Sequence, residues 1–219
     1  MELTTSYERV IPAEVRARYD FAETRNAAAV LASTDPDAFA EVLDVLAGFS
    51  LSTADIVEPG GNKSTVAGRL DREFRETGWR EAAYDTYIRS VLRVMPYKAV
   101  GEKKAVEQET ESKSLGYKID NVKRRMAVDV EWHAKDGNLD RDVGAYRSFY
   151  DAGVIDGGII ICRSFASIRA LSIRLGRAGG FTTTTTTTIE KLTERMSRGD
   201  GGGCPILAVA ITDRTYAAP

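Results

Sequence analysis

The sequence has few of the residues that build metal cages or covalent cross-links. It holds one histidine, His133, and two cysteines, Cys162 and Cys204, far apart, which leaves no four-ligand set for structural zinc. Both cysteines lie in or beside apolar runs, so buried free thiols in a reducing compartment are expected rather than a disulfide framework. No apolar run approaches the roughly 20 residues that a membrane helix requires. The opening residues, Met1 to Ser6, show no basic-then-apolar signal. The expected location is the cytoplasm, with no membrane contact. An excess of one charge is lacking too, since 30 Lys and Arg against 32 Asp and Glu leave a net charge of −2. The imbalance is local: residues 118–219 carry 15 basic against 12 acidic side chains, about +3, and residues 1–117 carry 15 against 20, or −5. A protein that handles a polyanion can concentrate positive field in one cleft and stay acidic elsewhere. Charge alone therefore excludes little.

What is present is an ordinary globular composition, 43% hydrophobic and 28% charged over 219 residues, enough for one large domain or two small ones. Residues 1–57 read as mainly helical. Pro12 opens a helix at Ala13, and Asp35 caps another that carries Phe39, Val42, Leu43 and Leu46 on one stripe and ends at Gly48. These helices are expected to cover one side of a sheet or to form an oligomer contact. A further helix runs to about Thr77, with Val66, Leu70 and Phe74 inward and Gly78 as its stop. Trp79 to Val94 contains both helical and strand periods. Residues 96–116 are polar and mixed in charge, and read as an insertion or loop, partly helical and open to ordering by a partner.

The most informative stretch is Lys118 to His133. It reads as two strands joined by a basic turn, Asn121 to Arg125. Alternation on a strand sends Met126, Val128, Val130 and Trp132 one way and Asp129, Glu131 and His133 the other, with Asp120 arriving from the preceding strand. Ionisable groups on an apolar strand are costly without compensation. A hard cation such as Mg²⁺ supplies it, being held by one or two carboxylates while keeping several waters. Asp120 and Glu131 are the candidate ligands, with the Val130 carbonyl between them, and His133 stands where it can orient or deprotonate water. A metal-activated water beside a polarised phosphate is the chemistry of phosphodiester hydrolysis. The same pattern also fits an edge strand with a solvated polar face.

Downstream, Asp136 to Asp140 form a polar turn, and a helix from Asp140 or Arg141 to about Asp151 places Val143, Tyr146 and Tyr150 on one face. Gly157 to Cys162 is a continuous apolar run, as in a strand buried on both faces. Strand, helix and buried strand imply a right-handed crossover between parallel strands, and a core of α-β-β-α-β order. Arg163 falls just past the buried strand's C-terminal end, where open sheets place ligands. Ser164 caps a helix to about Gly176 bearing Ile168, Leu171 and Leu175, another helix spans Ile189 to Arg198, and the last strand runs from Pro205 to Thr212.

Several segments suit contact with nucleic acid and equally suit plain structural roles. The loop Glu58 to Thr65 contains Asn62 and Lys63 ahead of a helix, an arrangement able to bind phosphate. It lacks the glycine before lysine that a P-loop needs. Seven threonines, Thr182 to Thr188, follow Gly179, Gly180 and Phe181; Thr182, Thr183 and Thr184 are the candidates for contact, since a hydroxyl and a methyl suit phosphate oxygens and thymine methyls. A polar loop of biased composition reads the same way. Lys123, Arg124 and Arg125 are candidate phosphate contacts, and Arg163 and Arg177 candidate base readers.

Four stretches resemble the BglII/BstYI group of type II restriction endonucleases in the PD-(D/E)XK superfamily. They are Arg69 to Trp79, ending in Gly78 and Trp79; Ile119 and Asp120 with Val128 to His133; Asp142 to Arg163; and Gly202 to Leu207. The resemblance spans about residues 62–212, with gaps. It implies an α/β fold, a restriction-endonuclease-like core with a mixed central sheet flanked by helices, as one nuclease domain over 1–219: a helical part to residue 57, a catalytic core over 58–219 and the polar insertion near 96–116. It implies Asp120 and Glu131 as ligands of Mg²⁺, and a homodimer that cuts double-stranded DNA at a short palindromic site. His133 falls where the superfamily usually has lysine and this group glutamine. Where some relatives carry a helper side chain on the preceding helix this chain has Ala67, and Asp71 or Glu73 is the candidate substitute. A nuclease for modified or structured DNA, and a non-catalytic DNA-binding protein on the same scaffold, are the alternatives.

Overall fold

The computed structural model describes residues 1–58 and 65–218. Asn62 and Lys63 lie outside the described residues. In chain order the elements are α1 (Tyr7–Val10), α2 (Ala13–Arg16), β1 (Tyr19–Glu23), α3 (Ala27–Thr34), α4 (Pro36–Gly48), α5 (Thr53–Val57), α6 (Thr65–Glu76), β2 (Arg80–Val94), β3 (Val106–Lys123), β4 (Met126–Val130), α7 (Gly137–Asp151), β5 (Gly157–Arg163), α8 (Phe165–Arg174), α9 (Ile189–Arg198) and β6 (Ile206–Ile211). The strands form one mixed sheet in the order β1-β6-β5-β4-β3-β2. β4, β5 and β6 are parallel, and β1 and β3 run antiparallel to their neighbours β6 and β4. This is the α/β, restriction-endonuclease-like core with helix-flanked mixed sheet that the sequence implies. No helix among the described residues is long and apolar enough to cross a membrane.

Every residue of β4, β5 and β6 is buried, as expected where helices cover both faces of parallel strands. The period of two then decides which helix each residue meets. Met126, Val128, Val130, Ile159 and Ile161 join one core cluster with Leu31, Val42, Leu70 and Phe74, from α3, α4 and α6. Asp129, Glu131, Gly158 and Ile160 face the other way, where α7 lies; a Cβ on Gly158 would stand 2.2 Å from the Tyr146 ring, and one on Gly157 3.1 Å from Leu31. Asp35 caps α4 by accepting from the Ala38 amide, and Gly199, at φ 87, ends α9. On α7 the sequence reading names Tyr150 as inward; Phe149 is the buried residue and Tyr150 is 37% exposed.

Two elements depart from the sequence reading. The first 50 residues contain β1, whose edge position beside β6 supplies pairing that helical periodicity gives no sign of. Glu23 at its end is fully buried, and its carboxylate accepts from Ser6 and from the Ala28 amide. Residues 106–116 are strand, not a partly helical loop. Their polarity hid the alternation.

The chain divides into two compact units, Met1–Ala82 with Ile119–Pro219, and Ala83–Lys118. The smaller unit is made of the far parts of β2 and β3. One of its faces is ion-paired, Arg89 with Glu109 and Arg93 with Glu107 at 2.7 Å each, and Lys113 lies 4.9 Å from the Tyr87 ring centroid. Strand alternation gives the opposite face Thr86, Ile88, Ser90, Leu92 and Val94 from β2 and Val106, Gln108, Thr110 and Ser112 from β3, none of them ionisable.

Because the Gly158 position is filled by Tyr146, Gly158→Ala overpacks the junction of β5 and α7. The expected cost is about 1–3 kcal/mol, read as a lower urea midpoint with an unchanged m-value. A variant as stable as the parent would show that α7 is not seated against β5 as described.

Candidate active site

The site forms where β3 parts from β4. The last cross-strand partners are Asn121 and Val128. Beyond them two carboxylates replace the ladder: Asp129 Oδ1 accepts from the Asp120 amide at 2.8 Å, and the Asp120 carboxylate accepts from the Val130 amide. On the other side Glu131 N donates to Ile161 O at 2.8 Å. In a parallel pair alternate residues address alternate neighbours, so the amide and carbonyl of Val130 face the Asp120 side. Asp120, Val130 and Glu131 thereby line one cleft of about 710 Å³, with Trp132, His133, Asn138, Arg141, Arg177, Phe181, Thr182 and Thr183 also on its wall.

The carboxylates are not equivalent. Burial, then the charge of Asp71, raises Asp120 above the ordinary carboxylate range. Asp71 is itself buried on α6 and accepts from Asn121 Nδ2 at 2.9 Å, whereas Glu73 is exposed and Ala67 lines the cleft. Asp129 lies beneath the cleft and off its wall. Burial, then the charge of Asp142, pushes its carboxyl far up, beside the Tyr146 hydroxyl that donates to Ile159 O at 2.9 Å. Asp142 is raised by burial and by the charge of Glu131. Among the described residues its Oδ2 has no donor within reach; raised in this way, its carboxyl favours the protonated form, which donates to the Glu131 carboxylate. Burial also raises Glu131, while the hydrogen bonds from Asp142 and Asn138 hold it down. Asn138 Nδ2 is 3.2 Å from Glu131 Oε2, and Arg141 Nη2 is 3.7 Å from Oε1.

These holders of Glu131 sit at positions 138, 141 and 142 of α7, one helical face by the i, i+3, i+4 rule. The sequence reading missed them. The available signal was a helix rich in Asn, Arg and Asp starting six residues after the strand carboxylate.

The row of Asp129, Glu131 and His133 does not continue as a strand. β4 ends at Val130, and His133 adopts φ 58, which is uncommon for a residue with a side chain. The turn still brings His133 to the cleft, its ring edge-on to Phe181 at 5.1 Å. Burial, then Arg163 and Arg177, lowers its pKa, favouring the neutral imidazole. Phe181, also at positive φ (53), meets Trp132 at 6.0 Å.

The threonine run divides. Thr182 and Thr183 line the cleft, while Thr184 is exposed off its wall. Thr186 bridges to Lys135, and Thr187 Oγ1 donates to Glu131 O at 2.6 Å. Thr188 caps α9. The second half of the run is thus a strap that fixes residues 131–136. Arg177 lines the cleft with Nη1 donating to Ile56 O at 2.6 Å.

Arg163 requires correction as a surface reader. It is fully buried, 5.6 and 5.4 Å from the Phe165 and Phe181 rings, with Nη2 donating to Thr186 Oγ1 at 2.7 Å. The strand that carries it ends under the Phe181 strap rather than at an open edge. Lys123 ends β3 and Arg124 and Arg125 form the turn into β4, about 16 Å from the cleft end of β4 at ~3.3 Å per residue. Each already has an acid: Lys123 pairs with Glu41 at 2.6 Å, Arg124 with Asp35 at 2.7 Å and Arg125 with Asp156 at 2.6 Å.

Among the described residues no three His, Cys, Asp or Glu side chains converge as a metal set. At the β3–β4 end of the cleft the donors are the carboxylates of Asp120 and Glu131 and the Val130 carbonyl, while Asp55, also on the wall, is paired with Arg69 at 2.7 Å. That set is incomplete for zinc and suits a hard cation that retains water.

A search of curated proteins finds no match to this chain. A family model described as restriction endonuclease BglII/BglIII matches residues 19–211. That span takes in every strand of the sheet and both Asp120 and Glu131, and the chain belongs to this family of restriction endonucleases.

Proposed function

We propose that the protein hydrolyses phosphodiester bonds of double-stranded DNA at a specific short palindromic site, as a Mg²⁺-dependent type II endonuclease. The observation that carries this reading is the presence of Asp120, Val130 and Glu131 together on the wall of one cleft of a chain from a restriction endonuclease family. We read the whole chain as one nuclease domain, with the β2–β3 ribbon as an insertion in it. A homodimer matches two-fold protein symmetry to a palindrome, each subunit cutting one strand.

Asp120, Glu131 and Val130 O would hold the metal. When bound, Mg²⁺ supplies positive charge against the phosphate and makes water more acidic. The protein's own groups do the rest. Asn138 and Asp142 fix the Glu131 carboxylate, and the amide of Val130 fixes that of Asp120. His133, favoured in its neutral form, accepts the proton of the attacking water. Arg177, Thr182 and Thr183, on the cleft wall, contact the DNA backbone; base reading falls to residues in the major groove, where the donor and acceptor pattern is unique.

Digestion of methylation-free plasmid and phage DNA with and without Mg²⁺ tests the reading. Discrete bands that need the metal are expected. Absence of bands from unmethylated DNA, with cutting of methylated DNA, would favour a modified-base nuclease instead. Glu131→Ala is expected to lose at least about 10³-fold in cleavage, the several kcal/mol that a bound metal supplies, while gel shifts in Ca²⁺ retain DNA binding. Normal cutting by this variant would remove Glu131 from the site.

His133→Ala is expected to slow single-turnover cleavage about 10²–10⁴-fold, the usual worth of a positioned general base. His133→Lys, which restores a group able to exchange protons, keeps part of the activity. Equal rates for parent and His133→Ala would assign the proton transfer elsewhere.

A further inference from the structure

Resting on the nuclease reading, the next question is which cation faces the phosphate. Among the described residues on the cleft wall the arginines are Arg141 and Arg177, against Asp55, Glu58, Asp120 and Glu131. Arg177 is anchored: Nη1 donates to the carbonyls of Ile56 and Glu58 at 2.6 and 3.0 Å, and its guanidinium lies 5.9 Å from the Phe181 ring. Arg141 is different. Its side chain is 56% exposed, it reaches Asp142 Oδ1 at 3.1 Å, and it stands 3.7 Å from Glu131 Oε1. The second distance is an ion pair too long to be a hydrogen bond.

We propose that Arg141 has two successive partners: it neutralises Glu131 in the metal-free protein, and moves onto a phosphate of the bound DNA when a divalent cation takes its place. Three features support this. A cation bound between Asp120 and Glu131 would repel a guanidinium already beside Glu131. The contact with Glu131 is half-exposed and lacks a hydrogen bond, so it is weakly held, and what the move gives up is the pair of bonds from Nε and Nη2 to Asp142 Oδ1 at 3.2 and 3.1 Å, on a carboxyl that burial favours in its neutral form. The planar guanidinium fork suits a carboxylate and a phosphate equally. Its position one helical turn from Asn138, which holds Glu131 at 3.2 Å, keeps Arg141 beside the reacting centre in either state.

The test uses Arg141→Gln and Arg141→Lys in the full chain. Calorimetric titration with Mn²⁺ alone, without DNA, reads the first half. Arg141→Gln is expected to bind Mn²⁺ several-fold more tightly than the parent, and Arg141→Lys, which keeps the competing charge, about as the parent does. Single-turnover cleavage reads the second half: Arg141→Gln is expected to lose about 10²-fold, as on removal of one preorganised charge at a reacting group. DNA affinity in Ca²⁺ should change little, and Arg141→Lys should recover part of the rate. A merely structural arginine predicts weaker Mn²⁺ binding and normal cleavage, and either result would overturn the proposal. If Arg141→Gln does not fold by circular dichroism, Arg141→Lys decides, since a rate equal to that of the parent would exclude a need for the guanidinium fork. Should the parent fail to cut any DNA, the nuclease reading fails by itself, and the Mn²⁺ titration still judges the competition between Arg141 and the metal.

Discussion

Four carboxyl groups, Asp120, Asp129, Glu131 and Asp142, are gathered at the cleft end of β4, and their repulsion is the constraint on which the surrounding structure depends. Carboxylates in such proximity away from bulk water are tolerated only when hydrogen-bonded, protonated or opposed by a cation. All three devices are present. Asp120 and Asp129 accept backbone amides, Asp129 and Asp142 are raised far above the carboxylate range, and Arg141 lies across Asp142 and Glu131. A bound divalent cation would relieve the same strain from the open side.

The sheet and α7 share the work. Strand alternation sends Asp129 and Glu131 to the α7 face, and the seating of Tyr146 over Gly158 fixes how far α7 stands from β4 and β5. With that distance set, positions 138, 141 and 142 reach Glu131. On the far side of the cleft, the strap from Phe181 to Thr188 holds residues 131–136 through Thr185, Thr186 and Thr187. His133 and Phe181, both at positive φ, meet where strap and strand end come together. Backbone strain of this kind is kept where the surroundings over-determine it.

Arg163 acts on His133 rather than on the acids. It is buried, Nε and Nη1 have no hydrogen-bond partner among the described residues, and burial lowers its pKa. Its charge and that of Arg177 act on His133. Glu131 and, beside Arg177, His133 thus line one cleft.

Much of this was legible beforehand because it rests on local rules. The cap at Asp35, the stop at Gly78, the apolar run of β5 and the alternation along β4 are properties of short segments. They suffice to bring Asp120 of β3 beside Glu131 at the end of β4. What no short segment contains is the partner across the fold. The edge strand β1 depends on β6, nearly 200 residues later, and the polar strand over 106–116 depends on its pairing with β2. The burial of Arg163 depends on the Phe181 strap, and the pairing of Lys123 and Arg124 depends on acids of α4 and its cap. Sequence by itself determined the α/β class, the crossover and the two carboxylates, since periodicity and residue chemistry are written along the chain. Only the tertiary structure decided which arginine meets Glu131, which threonines are structural and which charges remain in the cleft, because these depend on distances between segments that the linear order leaves free.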